Sequence, residues 1–583
     1  MELILLHLLT KLGQSVFTQI SSLREAIMKT MKSLSFCFIL LCGAAVLGAQ
    51  APQWQWAVSA RGSGSIKDKG RSIATDSQGN QYITGLFSNT ANFGSHTLTA
   101  SGDSIDIFVA KLDPAGNWLW AVKAGGLDSD EGSGIALDGA GNAYVTGRFR
   151  GTATFGSHTL TSNGYNDVFA AKLDPSGNWL WAVNAGGMSS DWGVGIAVDD
   201  FGHACVTGTF HYTATFGSHT LTARYSEIFV ARLGPSGNWL WAVKAGGTSL
   251  DVINGISVDG MGNAYMTGYF TGTVTFGSHT LTANMYCNTF VAKLNPSGYW
   301  LWAVQSVGTS EDHGRGIGVD GAGNACVTGL FVGTVTFGSH TLTSNGTGFD
   351  GFDIFVAKLD PSGNWLWAVK AGGTSGDCGY GAALDGAGNA CVTGGFQGTA
   401  TFGSHTLTSN GDKDIFAAKL DPSGNWLWAV NAGGIRYDWG IGIAVDGAGN
   451  AYVTGDFEGT ATFGSHTLTA SGGYWDKDIF VAKLGNVTPV EDVLAPEAVA
   501  RLHDAWPNPL SRGRSAFIKA DITERSKGTL SVFNLRGQSV ARHELGPGTH
   551  QIPFSGDGLP AGVYLYSLQC GAYRETKKLV LLK

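Results

Sequence analysis

The chain has 583 residues, 43% hydrophobic and 14% charged, enough to bury a sizeable core and to form more than one domain. Its formal charge of -8 comes without a long basic run, which excludes nucleic acid as a partner, since phosphate binding needs clustered Lys and Arg. The 87 Gly accompany 18 Trp and 30 Phe, a combination that reads as tight turns between short strands in an all-β protein and not as disorder.

Lys29 and Lys32 precede an apolar run from Leu34 to Gly48, and Ala49-Gln50-Ala51 supplies a small-x-small cleavage pattern. Residues 1–51 are therefore read as a superfluous extension plus a secretory signal peptide, with the start expected at Met28 or Met31. The apolar run falls short of the roughly 20 residues a spanning helix needs, so no transmembrane segment is expected in the mature chain. Cys42 follows Leu41, where a lipid-anchor motif would carry a small residue.

From Trp54 onward a Trp-x-Trp-Ala-Val stretch recurs seven times, starting at Trp54, Trp118, Trp179, Trp239, Trp300, Trp365 and Trp426, at spacings of 60 to 65 residues. Such a period means repeated supersecondary units stacked into one body. Each unit carries four apolar runs, here named A to D; in one copy they are Gly195 to Val198, Ala204 to Gly208, Ile228 to Leu233 and Trp239 to Val243. Gly-bearing turns such as Asp138 to Asn142 and Asp174 to Asn178 join A to B and C to D. Four antiparallel strands in each of seven copies predict a β-propeller.

Trp118 and Trp120 share one strand face while Leu119 and Ala121 take the other, so both faces are expected to pack against neighbouring sheets. The first copy begins with D alone, at Trp54 to Val58, and the last ends with C, at Asp478 to Leu484. The N-terminal strand is thus expected to complete the last unit and close the ring. Between B and C each copy inserts a segment ending in Phe-Gly-Ser-His-Thr-Leu-Thr, as at Phe155 to Thr161, expected to form a small hairpin or loop. Cys205, Cys326 and Cys391 share one column and read as small buried side chains, not as a disulfide framework.

The motifs Gly195-Ile196-Ala197-Val198-Asp199, Asn142-Ala143-Tyr144-Val145-Thr146-Gly147 and Asp353-Ile354-Phe355-Val356-Ala357-Lys358-Leu359 recur together in fixed order. On them, residues 54–484 resemble the SBBP (seven-bladed β-propeller) repeat family. The C–D hairpin is similar to the tryptophan-docking hairpin of quinoprotein propellers, with a turn one residue shorter; this is read as shared blade mechanics and not as evidence for a quinone, and no cofactor is expected.

Two columns of titratable residues invite a functional reading. His96, His158, His219, His279, His340, His405 and His466 stand one per copy in the inserted segment, too widely separated for the three or four converging ligands of a zinc site. Asp68, Asp130, Asp191, Asp251, Asp312, Asp377 and Asp438 precede strand A and either ring the channel as a cation site or cap their own Gly-rich turns; capping is the favoured reading. A second column, Asp76 to Asp446 at the A–B turns, is read the same way.

Specificity in a symmetric ring requires positions where the copies differ. Directly after the D–A Asp stand Lys69, Glu131, Trp192, Val252, His313, Cys378 and Trp439, and two places further Arg71, Ser133, Val194, Asn254, Arg315, Tyr380 and Ile441. This face is the candidate ligand surface, with Trp192, His313, Arg315, Tyr380, Tyr437 and Trp439 its leading residues. No catalytic, cofactor-binding or metal-binding residue set is assigned, because no nucleophile elbow, zinc helix or phosphate loop stands out.

Past Leu484 the repeat stops, and residues 486–504 read as a linker. Trp506-Pro507-Asn508-Pro509, Phe533-Asn534-Leu535-Arg536-Gly537, Leu559-Pro560-Ala561-Gly562-Val563-Tyr564 and the ending Lys577 to Lys583 follow. By these motifs residues 505–583 resemble the type A C-terminal sorting domain of the type IX secretion system, with Trp506 where Tyr is usual. Alternating runs between Gly and Pro suggest a small β-sandwich. The resemblance implies partnership with the type IX secretion machinery, passage through the periplasm, and release or attachment at the outer cell surface.

The expected molecule is all-β: a seven-bladed β-propeller over residues 52–485, closed by its N-terminal strand, then a small C-terminal β-sandwich. The expected role is an exported binding or scaffold protein for a glycan or protein ligand. The competing class is a secreted glycan-active hydrolase or lyase with its site at the channel mouth.

Overall fold

A computed structural model describes residues 51–62, 68–102, 104–348, 350–471, 476–485, 500–511, 513–522, 527–570 and 573–582. Apart from Ala51, the expected leader lies outside them. The chain divides into two compact units between Val487 and Thr488.

In the first unit every repeat is built on antiparallel strands in the order A–B–C–D. The copy drawn on above has A at Trp192–Val198, B at Ala204–Phe216, C at His219–Leu233 and D at Trp239–Gly247. Strands B and C exceed their apolar runs because the inserted segment continues their pairing out to Phe216 and His219, around a turn where Gly217 takes φ 59°. In other copies the insert is a separate hairpin, as with Thr90–Phe93 against His96–Thr99. Its first strand also reaches sideways: Asn92 pairs with Arg61, and Thr154 with Gly125, at the end of the preceding D strand. The insert is therefore a strap between neighbouring units.

Strand A carries a register shift after its second residue, as between Gly132 and Gly134. Opposite the shift stands Gly147, where a Cβ would overlap the Glu131 carbonyl oxygen, so a bulge and a bare Cα are needed together. Along the axis the A strands touch backbone to backbone. A Cβ at Gly134 would lie 3.1 Å from the Gly195 Cα. Gly195 meets Ile256, Gly255 meets Ile317, Gly316 meets Gly381, Gly381 meets Ile443, and Gly442 returns to Ile73. With Ile135 N donating to Ser72 Oγ at 3.3 Å, the A strands follow one another in a closed cycle, as a β-propeller requires.

The paired Trp residues hold one unit to the next. The Trp120 indole donates to the Pro175 carbonyl of the following C–D turn at 3.1 Å and meets Tyr82 edge-on at 5.9 Å. The same bond recurs at Trp56, Trp181, Trp241, Trp302 and Trp367. Trp118 packs edge-on against Phe93 of the strap at 5.1 Å. Leu119 departs from the expectation that both faces of strand D are covered, since it is 45% exposed, as are its counterparts Leu180 and Leu427. D is the outer of the four strands, farthest from the axis on which the A strands meet.

The N-terminal strand Gln53–Gly62 pairs antiparallel with Lys477–Gly485, from Trp54 opposite Leu484 to Ala60 opposite Ile479. It is the outer strand of the sheet whose inner strand is Trp439–Val445. Its Trp54 indole donates to Asn431 O at 3.1 Å and lies edge-on to Phe463 at 5.2 Å. Cys205, Cys326 and Cys391 are free thiols at 0–1% exposure, packed in the cores between sheets.

The second unit has one three-stranded sheet, ordered Ala500–Leu502, Ser515–Ile522, Gly548–Ser555, and one four-stranded sheet, ordered Ser539–Leu545, Gly528–Asn534, Gly562–Cys570, Tyr573–Leu581. Ile518 and Ile552 of the first share a core with Leu530, Tyr566 and Leu579 of the second. Ala500–Leu502 lies within the stretch expected to link the two units. Among the described residues no helix is long and apolar enough to cross a membrane.

Candidate functional site

The D–A aspartates are built into the loops they end. Asp130 accepts from Gly126 N at 2.7 Å and Arg150 N at 3.0 Å, and Asp191, Asp377 and Asp438 repeat the pattern. The column is 0–1% exposed, so it caps turns and does not ring the channel with free charge. Burial, with some repulsion from nearby acids, pushes Asp130, Asp191, Asp251 and Asp377 up to about 7, and Asp438 to about 8. The strand-C acid is one such neighbour: the bare Cα of Gly125 leaves a space 2.6 Å from Asp106 Oδ1 and 2.9 Å from Asp130 Oδ2. The A–B aspartates cap as well, Asp138 accepting from Ala140 N and Asn142 N.

The register shift after the second residue of strand A falls at the second variable column, so simple alternation of faces does not hold there. That column lines a cavity of about 640 Å³ at the channel mouth. Arg71, Ser133, Val194, Asn254, Arg315, Tyr380 and Ile441 all contribute, one from each A strand, and Glu131 and Trp192 join them. Below them the wall is the glycine and aliphatic layer of Ile73, Ile135, Ile196 and their counterparts.

Of the six leading residues, Trp192, Arg315 and Tyr380 line the cavity. Trp439 stands behind Tyr380, their rings 5.6 Å apart and nearly perpendicular, with the Lys413 ammonium 4.8 Å from the Trp439 ring. His313 lies flat on Tyr269 at 3.9 Å; burial first, and the neighbouring Arg315 charge second, bring its pKa down to about 4, so it is neutral at neutral pH. Tyr437, 38% exposed and bridged to Lys413, is outside the lining.

Arg148 and Tyr269 of strand B are additions that the strand-A columns did not contain. Arg148 forms an ion pair with Glu131 and places its guanidinium 4.8 Å from the Trp192 ring. Arg315 sits between two aromatic rings, 5.9 Å from Tyr269 and 6.0 Å from Tyr380. Both additions are cross-strand partners of the first variable column, Arg148 opposite Glu131 and Tyr269 opposite Val252. Their own column reads Leu86, Arg148, Thr209, Tyr269, Leu330, Gly395, Asp456, a variation visible in the sequence once the register is known.

Two family models match the chain, and both agree with this architecture. Residues 120–148 and 428–456 match the model of the beta-propeller repeat, and residues 504–582 match that of the secretion system C-terminal sorting domain. An uncharacterized WD repeat-containing protein of Acanthamoeba polyphaga mimivirus is 27% identical over 435 residues, 59% of this chain; the chain spans only 31% of that relative's length. Among solved structures, a fungal alcohol oxidase in complex with copper is similar with 12% identity, a TM-score of 0.39, and coverage of 91% of this chain and 100% of its own. YCF48 bound to D1 peptide has 9% identity and a TM-score of 0.35 over 74% of this chain and 96% of its own. A gluconolactonase of Xanthomonas campestris has 10% identity and a TM-score of 0.30 over 76% and 99%.

Proposed function

Because the chain carries β-propeller repeats and a type IX C-terminal sorting domain, and is thus exported to the cell surface or released, we propose that it is a non-enzymatic binding or scaffold protein whose ligand enters the channel mouth. Its architecture on this reading is a seven-bladed propeller over residues 52–485, closed by Gln53–Gly62, and a β-sandwich sorting domain over 505–583 delivered after removal of a leader. The observation that carries the binding role is a layer where the seven repeats place six kinds of side chain: Arg71, Ser133, Val194, Asn254, Arg315, Tyr380 and Ile441. Immediately below, the repeats agree again on glycine and aliphatic residues. A concave pocket of about 640 Å³ with aromatic walls and a few fixed polar groups suits a small ligand or the end of a larger one.

The test is an array of glycans and proteins probed with the purified chain and with Trp192→Ala and Tyr380→Ala. Binding that either substitution reduces at least tenfold is expected; binding that both leave untouched removes the mouth as the site. Turnover of a bound glycan, read as new reducing or unsaturated ends, would replace this proposal with the hydrolase or lyase reading.

A further inference from the structure

Resting on that binding role, we infer that the mouth takes an acidic glycan, its carboxylate or sulfate group held between Arg71 and Arg315. The lining carries three guanidiniums, Arg71, Arg148 and Arg315, and one carboxylate, Glu131, in a chain whose formal charge is -8. Arg148 is already paired with Glu131. Among the described residues Arg71 and Arg315 form no ion pair with a carboxylate, and the buried Arg315 Nε has no hydrogen-bond partner. Half-buried cations without a paired carboxylate are costly in the free protein, and a concave site concentrates their field, so an incoming anion gains from both.

The two arginines stand on opposite sides of the cavity. In the cycle of A strands, Lys69–Thr75 and Asp312–Val319 are separated by three strands in one direction and two in the other. Arg71 and Arg315 therefore face each other across the mouth, each offering the planar fork that matches a carboxylate or sulfate. The rest of the layer suits a sugar better than a peptide. Asn254 donates its side-chain N–H to Gly314 O at 2.7 Å, which leaves the amide oxygen to accept a hydroxyl, and Ser133 adds a hydroxyl of its own. Trp192 and Tyr380 supply aromatic surface for the apolar face of a pyranose ring.

The experiment titrates the full exported chain calorimetrically with a short oligogalacturonate and with a sulfated oligosaccharide, each beside its uncharged counterpart, and with an acidic peptide. An acidic glycan is expected to bind at least tenfold more tightly than its neutral form, and more weakly as salt is raised. Arg71→Gln and Arg315→Gln should each lower that affinity about tenfold, with a thermal midpoint at or above that of the wild type. The carboxylate and sulfate probes separate the two anion sources. If a Gln variant fails to fold, Arg71→Lys and Arg315→Lys keep the charge but lose the fork, and a loss of affinity is still expected. Equal binding of charged and neutral glycans, dependent on Trp192 and indifferent to both arginines, overturns the anion assignment while the binding role stands. Preference for the peptide overturns the sugar assignment, and binding of no probe by the folded wild type overturns the inference as a whole.

Discussion

Asp130 and its counterparts tie stability to pH. In an unfolded chain an Asp titrates near 3.9, whereas burial holds Asp130, Asp191, Asp251 and Asp377 at about 7 in the folded protein. Between these values the folded state binds more protons, so this contribution is fully present below about pH 4 and is lost as pH rises through about 7. Asp360 and Asp421 at the C–D turns run the other way: the side-chain N–H groups of Asn364 and Asn425, with backbone N–H groups, hold them below the usual range. Their contribution is lost as pH falls below about 4. The thermal midpoint should therefore peak in mildly acid solution and decline toward pH 8.5, and a profile rising from pH 5 to 8.5 in circular dichroism melts would sink the account. Gly147 gives a sharper single-residue test. Gly147→Ala drives a Cβ into the Glu131 carbonyl and should cost about 1–3 kcal/mol in urea unfolding. Gly139→Ala, with nothing within 4 Å, should be close to neutral. At this scale the sequence exposed the variable columns of strand A because the copies align residue by residue. It hid Arg148 and Tyr269, because which strand-B residue stands beside Glu131 or Val252 is a matter of register.

Strand D and the inserted hairpin show how elements divide the labour of closure. The Trp-x-Trp pattern marked the orphan strand at Trp54, and its pairing with Lys477–Gly485 is in register from Ala57 opposite Ala482 to Ala60 opposite Ile479. Deleting Trp54 to Val58 exposes the edge from Val481 to Leu484 and removes the Trp54 contacts with Asn431 and Phe463. A drop of many degrees in the melting midpoint is expected, and an unchanged melt would mean that the ring does not depend on this strand. Trp120→Phe is a milder probe. It removes the 3.1 Å bond to Pro175 O and should cost about 0.5–1.5 kcal/mol by denaturant titration. The insert was legible only as a hairpin or loop. Its sideways pairing with the preceding D strand was not, because two-residue bridges such as Gly125 to Thr154 leave no periodic signal.

The whole molecule is an exported β-propeller with a C-terminal sorting domain. Deleting residues 505–583 should leave the propeller in the periplasm, read by fractionation, whereas normal appearance outside the cell would refute a sorting role for the tail. Repeat number, strand order, the sorting tail and the identity of the variable positions follow from the sequence itself, since period, strand alternation and turn chemistry are local properties that every copy restates. The tertiary structure alone decided which differences meet. Seven side chains about 60 residues apart in sequence come to one level because the A strands converge on the axis, where glycine lets backbones touch. That convergence buries the aspartate column in its own turns and leaves Arg71 and Arg315, from distant repeats, facing one cavity.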